Sequence, residues 1–142
     1  MVFEFRLTRR VQFYETDAAG IVHFSNYFRY MEEAEHALWR AAGITISNRA
    51  SDIGWPRVNV SFEYSSPLRF EDEFEAHIRI VEIGKKKIRY ACTILTAGTV
   101  VATGNMTIVC VRKVPNEPMK SVPIPHEIAS LFRVAPEGGA NS

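Results

Sequence analysis

The sequence lacks several features that define large classes of proteins. Its 142 residues include only two cysteines, Cys92 and Cys110, and no C-x-x-C pair, which argues against a zinc ribbon or a disulfide scaffold and suits a reducing cytosol. No run of about 18 apolar residues occurs, and the N-terminus alternates charged and apolar residues where a signal peptide needs an apolar run. We therefore expect a cytoplasmic protein with no membrane partner.

Neither sign of charge is in excess. The 17 Lys and Arg residues against 16 Asp and Glu give a formal net charge of +1, which provides no broad field for attracting nucleic acid. The G-x-S-x-G motif of serine hydrolases is also missing. Glu33 and His36 form an E-x-x-H, but a di-iron site needs a second copy on another long helix. We expect no nucleic-acid partner and no bound metal.

Strand periodicity occupies much of the chain. Apolar and polar residues alternate over 3–13, which predicts a first half-buried strand. The same two-residue period returns in four later runs, and Gly84 and Gly98 mark tight turns between antiparallel neighbours. These runs are 58–64, 74–80, 88–94 and 100–110.

One segment has the periodicity of a helix. Apolar residues recur every three or four positions from Tyr27 to Ala42, Ser25 or Asn26 can cap the start, and Gly43 ends the pattern. A strand, one long helix and a four-stranded meander predict an α+β fold in which the helix covers one face of a five-stranded antiparallel sheet. One helix leaves sheet edges and a sheet face uncovered, so we expect a homodimer or a dimer of dimers, that is, a homotetramer.

The C-terminal part of the chain has a different composition. It is rich in proline from Pro115 onward and predicts a short helical turn that opens at Pro125. Residues 135–142, which end in EGGANS, are predicted to be a disordered tail. The remaining residues, 1–134, are expected to form a single domain.

The turn before the helix, YETDAAGIVHFSNYFRY, contains a candidate catalytic acid. Asp17 precedes the two capping candidates by eight or nine residues, which is too far for an ordinary helix cap. Gly20 allows close approach of the backbone, and unpaired N–H groups at a helix N-terminus can polarise a carbonyl as an oxyanion hole does. Asp17 can then act as a general base for water or attack directly as a nucleophile, and both routes remain open.

Two segments of the sequence resemble a known family. The runs D-A-A-G-I-V-H-F-S-N-Y (17–27) and F-E-Y-S-S-P-L-R-F-E-D (62–72) resemble hotdog-fold acyl-CoA thioesterases, in particular the 4-hydroxybenzoyl-CoA thioesterase family, over about residues 5–130. The resemblance implies a hotdog thioesterase domain over 1–134 and no cofactor, because coenzyme A is part of the substrate. It implies hydrolysis of a small or aromatic acyl-CoA to the free acid and coenzyme A. Hydroxybenzoyl-like, dihydroxynaphthoyl-like and short-chain acyl groups remain open.

The resemblance also assigns roles to residues of the turn. Asp17 matches the catalytic carboxylate, and the backbone N–H of Phe24 matches the group that binds the thioester carbonyl. Tyr27 follows the acid by ten residues and is predicted to bind substrate. Some relatives carry a histidine at position 24, whereas this chain has His23, which is either a substrate contact or an ordinary hydrogen-bonded loop residue.

Two further groups complete the predicted site. Lys85, Lys86 and Lys87 lie at a hairpin turn, where similar thioesterases bind the phosphates of coenzyme A, or they are an exposed, solubilising edge. Asn59 and Ser61 of a neighbouring subunit are expected to face the acid across a cleft between two chains.

Other assignments of function remain open at this point. The fold can serve as a non-catalytic acyl-CoA or acyl-carrier binding module, in which Asp17 is only structural, and a hydratase is a weaker option. Some related enzymes use a glutamate of the helix instead of the loop acid. Glu32, Glu33 and Glu35 are therefore reserve candidates, although we expect them to form a solvated helix face.

Overall fold

The computed structural model describes residues 1–137 and contains one five-stranded sheet, one long helix and several short elements. The strands are β1 (Glu4–Arg10), β2 (Ile53–Gly54), β3 (Arg57–Tyr64), β4 (Glu73–Ile83), β5 (Lys87–Thr96), β6 (Thr99–Val109), β7 (Val111–Arg112) and β8 (Lys120–Ser121). The helices are α1 (Asn26–Ala41), α2 (His126–Ala129) and a single 3-10 turn (Phe13–Glu15).

The main sheet is antiparallel and has the strand order β1-β4-β5-β6-β3. The predicted five-stranded sheet and α+β class are therefore confirmed. The sequence did not predict a second small sheet, in which β7 pairs with both β2 and β8. Each of these strands has two residues, which is too short for an alternating pattern to appear.

The first strand is shorter than its alternation predicts. The sheet pairing stops at Arg10, and the Val11 N–H donates instead to the Asp72 carbonyl (2.9 Å). The chain then turns into the 3-10 helix, and the side chain of Phe13 is 73% exposed although the pattern placed it in the core. The strand prediction for 11–13 is therefore wrong, because the apolar period continues past the point where the chain leaves the sheet.

Helix α1 packs one face against the sheet. The buried residues recur along this face every three or four positions and include Tyr27, Met31, Ala34 and Leu38, as the sequence predicted. Gly43 adopts a left-handed φ of 90° directly after the helix, which confirms its role as the C-terminal stop. Ser25 is the N-cap residue, but its side chain does not cap the helix.

Strand β3 lies at one edge of the sheet. Its even-numbered residues share the helix side with the buried core, and the ring of Phe62 contacts Phe28 (5.3 Å between centroids). Val58 and Val60 also lie on this side but are 59% and 46% exposed. The pattern correctly predicts the apolar side of β3, but within one chain that side is largely uncovered. An apolar edge strand of this kind favours pairing with another chain.

The end of the described chain is attached to the sheet. Helix α2 has Pro125 as its N-cap residue, which confirms the predicted short turn. Ala135, which the sequence placed in the tail, donates its N–H to the Ile80 carbonyl of β4 (2.8 Å). Most of the predicted disordered tail, 138–142, lies outside the described residues. Over 1–137, no helix is long and apolar enough to cross a membrane.

Candidate active site

The segment between the 3-10 helix and α1 forms a closed turn. The Asp17 N–H donates to the Ile21 carbonyl and the Gly20 N–H donates to the Asp17 carbonyl (both 2.9 Å). Gly20 has a φ of 80°, a conformation that glycine adopts without strain. A Cβ at Gly20 would meet no atom within 4 Å in this chain, so the conformation of the backbone, and not crowding by the protein, requires glycine here.

Asp17 presents one carboxylate oxygen to the turn and leaves the other available. Its Oδ1 accepts a hydrogen bond from the Ala19 N–H (2.9 Å), which fixes the side chain. Oδ2 receives no hydrogen bond from any residue in the described part of the chain. Asp17 is half-buried and does not cap α1, as the sequence predicted from its distance to the helix. A fixed carboxylate with a free oxygen is suited to act as a base or a nucleophile.

The backbone N–H of Phe24 is the second chemical group of this turn. The flanking amides are paired: the His23 N–H donates to the Glu15 carbonyl and the Asn26 N–H to the His23 carbonyl (both 2.9 Å). Within residues 1–137 the Phe24 N–H itself has no acceptor. It also lies just before the N-terminus of α1, where the helix dipole favours negative charge. An incoming carbonyl oxygen can therefore accept this hydrogen bond.

Asp17 and Phe24 line the same cavity, which has a volume of about 420 Å³. Its walls are largely apolar and include two aromatic rings from other elements, Tyr27 of α1 and Tyr64 of β3, whose centroids are 4.9 Å apart. The remaining lining residues are Ile21, Val22, Ser65, Ser66 and Pro67. Tyr27 lines this cavity, and its role in binding substrate stays a prediction. The sequence did not predict that Tyr64, Ser65 and Ser66 also line it.

His23 lies beside this cavity but is not one of its lining residues. Its ring stacks on Phe24 with 4.4 Å between centroids. Its Nδ1 accepts a hydrogen bond from the Ser25 N–H (3.2 Å) and lies 2.7 Å from the Ser25 hydroxyl oxygen. A role of His23 in binding substrate therefore remains a prediction.

A buried glutamate, Glu15, holds the start of the turn. Its carboxylate accepts hydrogen bonds from the Gln12 N–H (2.8 Å), the Arg9 guanidinium (2.8 Å) and the Tyr30 hydroxyl (3.0 Å). Its backbone carbonyl accepts two more, one from the His23 N–H and one from the side-chain amide of Asn26 (2.8 Å). These bonds connect β1, the turn and α1 directly beside Asp17.

The charge of Glu15 is stabilised by its partners. Burial alone would raise the pKa of this carboxyl, but the hydrogen bonds from Arg9, Gln12 and Tyr30 and the charge of Arg9 together outweigh burial. The net effect is a lowered pKa. Sequence reasoning missed Glu15. The available signal was its spacing of three residues from Gln12, which is the spacing of a reciprocal helix cap.

The other predicted site residues lie away from the cavity of their own chain. Asn59 and Ser61 are on the outer side of β3, opposite α1. The predicted hairpin turn with Lys85, Lys86 and Lys87 lies at the opposite end of the sheet from Tyr64. The partners of Lys87 and Tyr64 on β6 are seven residues apart, roughly 23 Å at 3.3 Å per residue. A single chain therefore does not bring the lysines or these two β3 residues to Asp17.

The three glutamates of α1 do not form one solvated face, since only Glu32 is exposed. Glu35 is fully buried and forms an ion pair with Arg57 of β3, while Glu33 pairs with Arg9 (2.9 Å). Burial raises the pKa of Glu35 to about 7, although Arg57 and Tyr90 oppose this shift. The prediction of a solvated face is therefore wrong for Glu35. Its ion-pair partner, Arg57, lies on β3, and the periodicity of the helix carries no information about residues of a strand. No cluster of three or more metal-ligating side chains occurs among residues 1–137.

Comparison with known proteins gives a consistent result. The sequence profile described as the thioesterase-like superfamily matches residues 11–132. A relative from Aquifex aeolicus, whose name suggests an esterase, is 38% identical over 127 residues, which cover 88% of this chain and 94% of that protein. The 1,4-dihydroxy-2-naphthoyl-CoA hydrolase of Synechococcus elongatus is 24% identical over 134 residues, which cover 92% of this chain and 96% of that protein.

A solved structure supports the same assignment. The gentisyl-coenzyme A thioesterase BH1999 is 30% identical, with a TM-score of 0.78 and coverage of 87% of this chain and 98% of that chain. The predicted hotdog fold and the resemblance to acyl-CoA thioesterases are confirmed.

Replacement of Glu15 by glutamine tests how strongly the turn is held. Glu15→Gln keeps the size but removes the charge opposite Arg9, so we expect a loss of roughly 2–4 kcal/mol of unfolding free energy at pH 7 in urea titrations. Because the pKa of Glu15 is lowered in the folded protein, the contribution of its charge is complete above the ordinary value of 4.5. The difference from the wild type should therefore shrink as the pH falls below that value.

Glu75→Gln is the matched control, because Glu75 pairs with Arg6 (2.7 Å) on the partly exposed outer side of the sheet. We expect this variant to lose less than about 1 kcal/mol. Equal losses for the two variants would contradict the role of Glu15.

Proposed function

Because the chain belongs to the thioesterase-like superfamily, we propose that it hydrolyses coenzyme A thioesters of small aromatic acids, with Asp17 as the reacting carboxylate. It is an acyl-CoA thioesterase by family. The observation that carries the proposal is that the free Oδ2 of Asp17 and the unpaired N–H of Phe24 belong to one turn and line one cavity. The relatives' names as hydrolases favour an enzyme over a non-catalytic binding module.

The Phe24 N–H and the Asp17 carboxylate have different roles in the proposed hydrolysis. The Phe24 N–H binds the thioester carbonyl oxygen and stabilises the negative charge that develops on it during attack. In one route, Asp17 takes a proton from water as the water oxygen bonds to the carbonyl carbon. The C–S bond then breaks, and the coenzyme A sulfur leaves with a proton. In the other route, Asp17 attacks the carbon itself, and the C–S bond breaks as the coenzyme A thiolate leaves. Water then hydrolyses the resulting anhydride, which releases the free acid and restores the Asp17 carboxylate.

The walls of the cavity support an aromatic acyl group. Phe24, Tyr27 and Tyr64 offer ring faces and edges, which pack against a flat ring in offset or edge-to-face geometry. Ser65 and Ser66 add hydroxyl groups that suit a hydroxylated ring. Two relatives act, by their names, on gentisyl-CoA and 1,4-dihydroxy-2-naphthoyl-CoA, which both carry hydroxylated aromatic acyl groups.

We further propose that the active unit is a homodimer, alone or as half of a tetramer, joined along β3. The exposed side chains of Val58 and Val60 and the unpaired edge of the strand supply apolar area and backbone hydrogen bonds for a second copy. In an antiparallel pairing of β3 with itself, the Arg57 end of one strand lies beside the Tyr64 end of the other. This brings the partner's lysine end of the sheet toward the cavity.

The Asp17→Asn variant tests the chemical role of the acid. Asparagine keeps Oδ1 for the Ala19 N–H and removes only the charge, so the turn should stay folded. We expect kcat to fall by at least about 100-fold while the Kd for acyl-CoA stays near the wild-type value. Steady-state assays of thiol release from aromatic acyl-CoAs, together with binding titrations, measure both.

Asp72→Asn is the matched control for this variant. Asp72 also accepts a backbone hydrogen bond, from the Arg69 N–H (2.8 Å), but it does not line the cavity. We expect its kcat to stay within about twofold of the wild type. Wild-type kcat in Asp17→Asn would disprove the proposed role of the acid.

The lysine turn is proposed to bind the phosphates of coenzyme A. Replacing Lys85, Lys86 and Lys87 by alanine should raise KM for acyl-CoA by about tenfold or more and spare kcat. The matched substrate is an acyl-pantetheine, which lacks the nucleotide and should show no change in KM. An equal rise in KM for both substrates would exclude a phosphate contact.

Mixed dimers test whether the site is shared between chains. The Asp17→Asn chain keeps its lysines, and the triple alanine chain keeps its acid. If the site combines the acid of one chain with the lysines of the other, a 1:1 mixture after subunit exchange has about a quarter of its sites intact. We therefore expect kcat/KM of the mixture to exceed the average of the two pure variants by about a quarter of the wild-type kcat/KM. No gain, with exchange verified by tagged chains, would show that the site does not combine the acid of one chain with the lysines of the other.

A further inference from the structure

The hydrogen bonds of the turn hold the residues on either side of Phe24 and leave its own carbonyl without a partner in the turn. His23 donates its N–H to the Glu15 carbonyl and accepts from the Asn26 N–H through its own carbonyl (both 2.9 Å). On the C-terminal side, Ser25 is the N-cap residue but makes no side-chain cap, since its hydroxyl pairs with the His23 ring (2.7 Å). The hydrogen bonds of α1 begin with the N-cap carbonyl, so the Phe24 carbonyl lies outside the helix ladder.

Tyr64 supplies the missing constraint from the sheet. Its hydroxyl donates a hydrogen bond to the Phe24 carbonyl (3.0 Å), across 40 residues of sequence. Tyr64 is the last residue of β3 and is paired there with Ala102 of β6. Its ring meets the ring of Tyr27 edge-on at 75°, which fixes the direction of the hydroxyl group. The link therefore joins the start of the helix to a strand whose position is set by the sheet.

We infer that Tyr64 is the positioning residue for the oxyanion-binding N–H of Phe24. The hydroxyl group of Tyr64 holds the carbonyl of the same residue whose N–H is left free, and so it limits rotation of the Phe24 backbone. A donor that is already oriented stabilises the developing oxyanion without reorganising during the reaction. This inference rests on the proposed function, in which the Phe24 N–H binds the thioester carbonyl.

The pKa of Tyr64 agrees with a permanent donor. Burial raises the pKa of this phenol, so its proton stays in place throughout the neutral range. Positioning by Tyr64 should therefore not add an ionisation of its own to the pH profile of the reaction.

Tyr64→Phe removes the hydroxyl group and keeps the ring that packs on Tyr27. We expect kcat to fall by about 5- to 20-fold, which is less than the 100-fold or greater loss typical of a deleted oxyanion donor. KM should stay within about twofold, because the ring that lines the cavity is retained. Tyr14→Phe is the control, since Tyr14 is an exposed tyrosine of the neighbouring 3-10 helix and does not line the cavity.

A spectroscopic measurement separates positioning from a general loss of structure. In Asp17→Asn protein, an aromatic acyl-CoA with a ¹³C-labelled thioester carbonyl turns over slowly enough to be observed in the bound state, and its infrared band reports the hydrogen bond from Phe24. We expect this band to lie below its frequency in water. Adding Tyr64→Phe should move it at least halfway back, whereas adding Tyr14→Phe should leave it in place.

The outcomes distinguish this inference from the proposal on which it rests. A carbonyl band at its solution frequency in Asp17→Asn alone would show that the Phe24 N–H does not bind the carbonyl, and the proposed function would then be at fault. A shifted band that Tyr64→Phe leaves unchanged would overturn the inference, as would a raised KM with unchanged kcat, which indicates a substrate contact.

A second replacement at position 64 tests the inference if Tyr64→Phe destabilises the protein. If Tyr64→Phe melts several degrees below the wild type, 4-aminophenylalanine at position 64 restores an N–H donor on the same ring. Recovery of kcat with this residue supports positioning, and failure to recover kcat overturns it.

Discussion

The buried carboxylate of Glu15 has the hydrogen bonds on which the geometry of the cavity depends. Three donors from three segments, Arg9, Gln12 and Tyr30, meet on its Oε1, and Arg9 also pairs with Oε2 (2.7 Å). Its backbone carbonyl holds the segment that leads into α1. A buried charge is costly unless its hydrogen bonds are satisfied, so each partner is required in its place. The turn with Asp17 begins two residues later, so the hydrogen bonds of Glu15 fix the position at which this turn starts.

The sequence predicted the elements of the fold better than the contacts between them. Alternating and helical periods identify strands and α1 because each element buries one side along its whole length. The burial of Glu15 and Glu35 was not predictable in this way, since their cationic partners lie on other elements and acids are usually exposed. The alternation that includes Val58 and Val60 correctly identifies the apolar side of β3. The sequence of one chain does not reveal what covers that side.

The candidate site shows the same division. Asp17, Gly20 and Phe24 are near in sequence, and local turn geometry is enough to bring the acid and the free N–H to one cavity. Tyr64 lies 40 residues away and reaches Phe24 only because β3 pairs with β6 at the edge of the sheet. That one strand also carries the uncovered valines. Any change in the pairing of this edge is therefore transmitted directly to the cavity.

A glycine is often required both because its backbone is left-handed and because a side chain would not fit, but at Gly20 only the first reason applies. The conformation excludes ordinary L-residues, yet no protein atom occupies the place of a side chain. A D-amino acid has the mirror-image preference, so D-alanine introduced by chemical ligation fits this φ without strain. It would restrict the unfolded chain and so favour the folded turn. Position 20 thus offers a way to stiffen the turn that holds Asp17 without changing the conformation of its backbone.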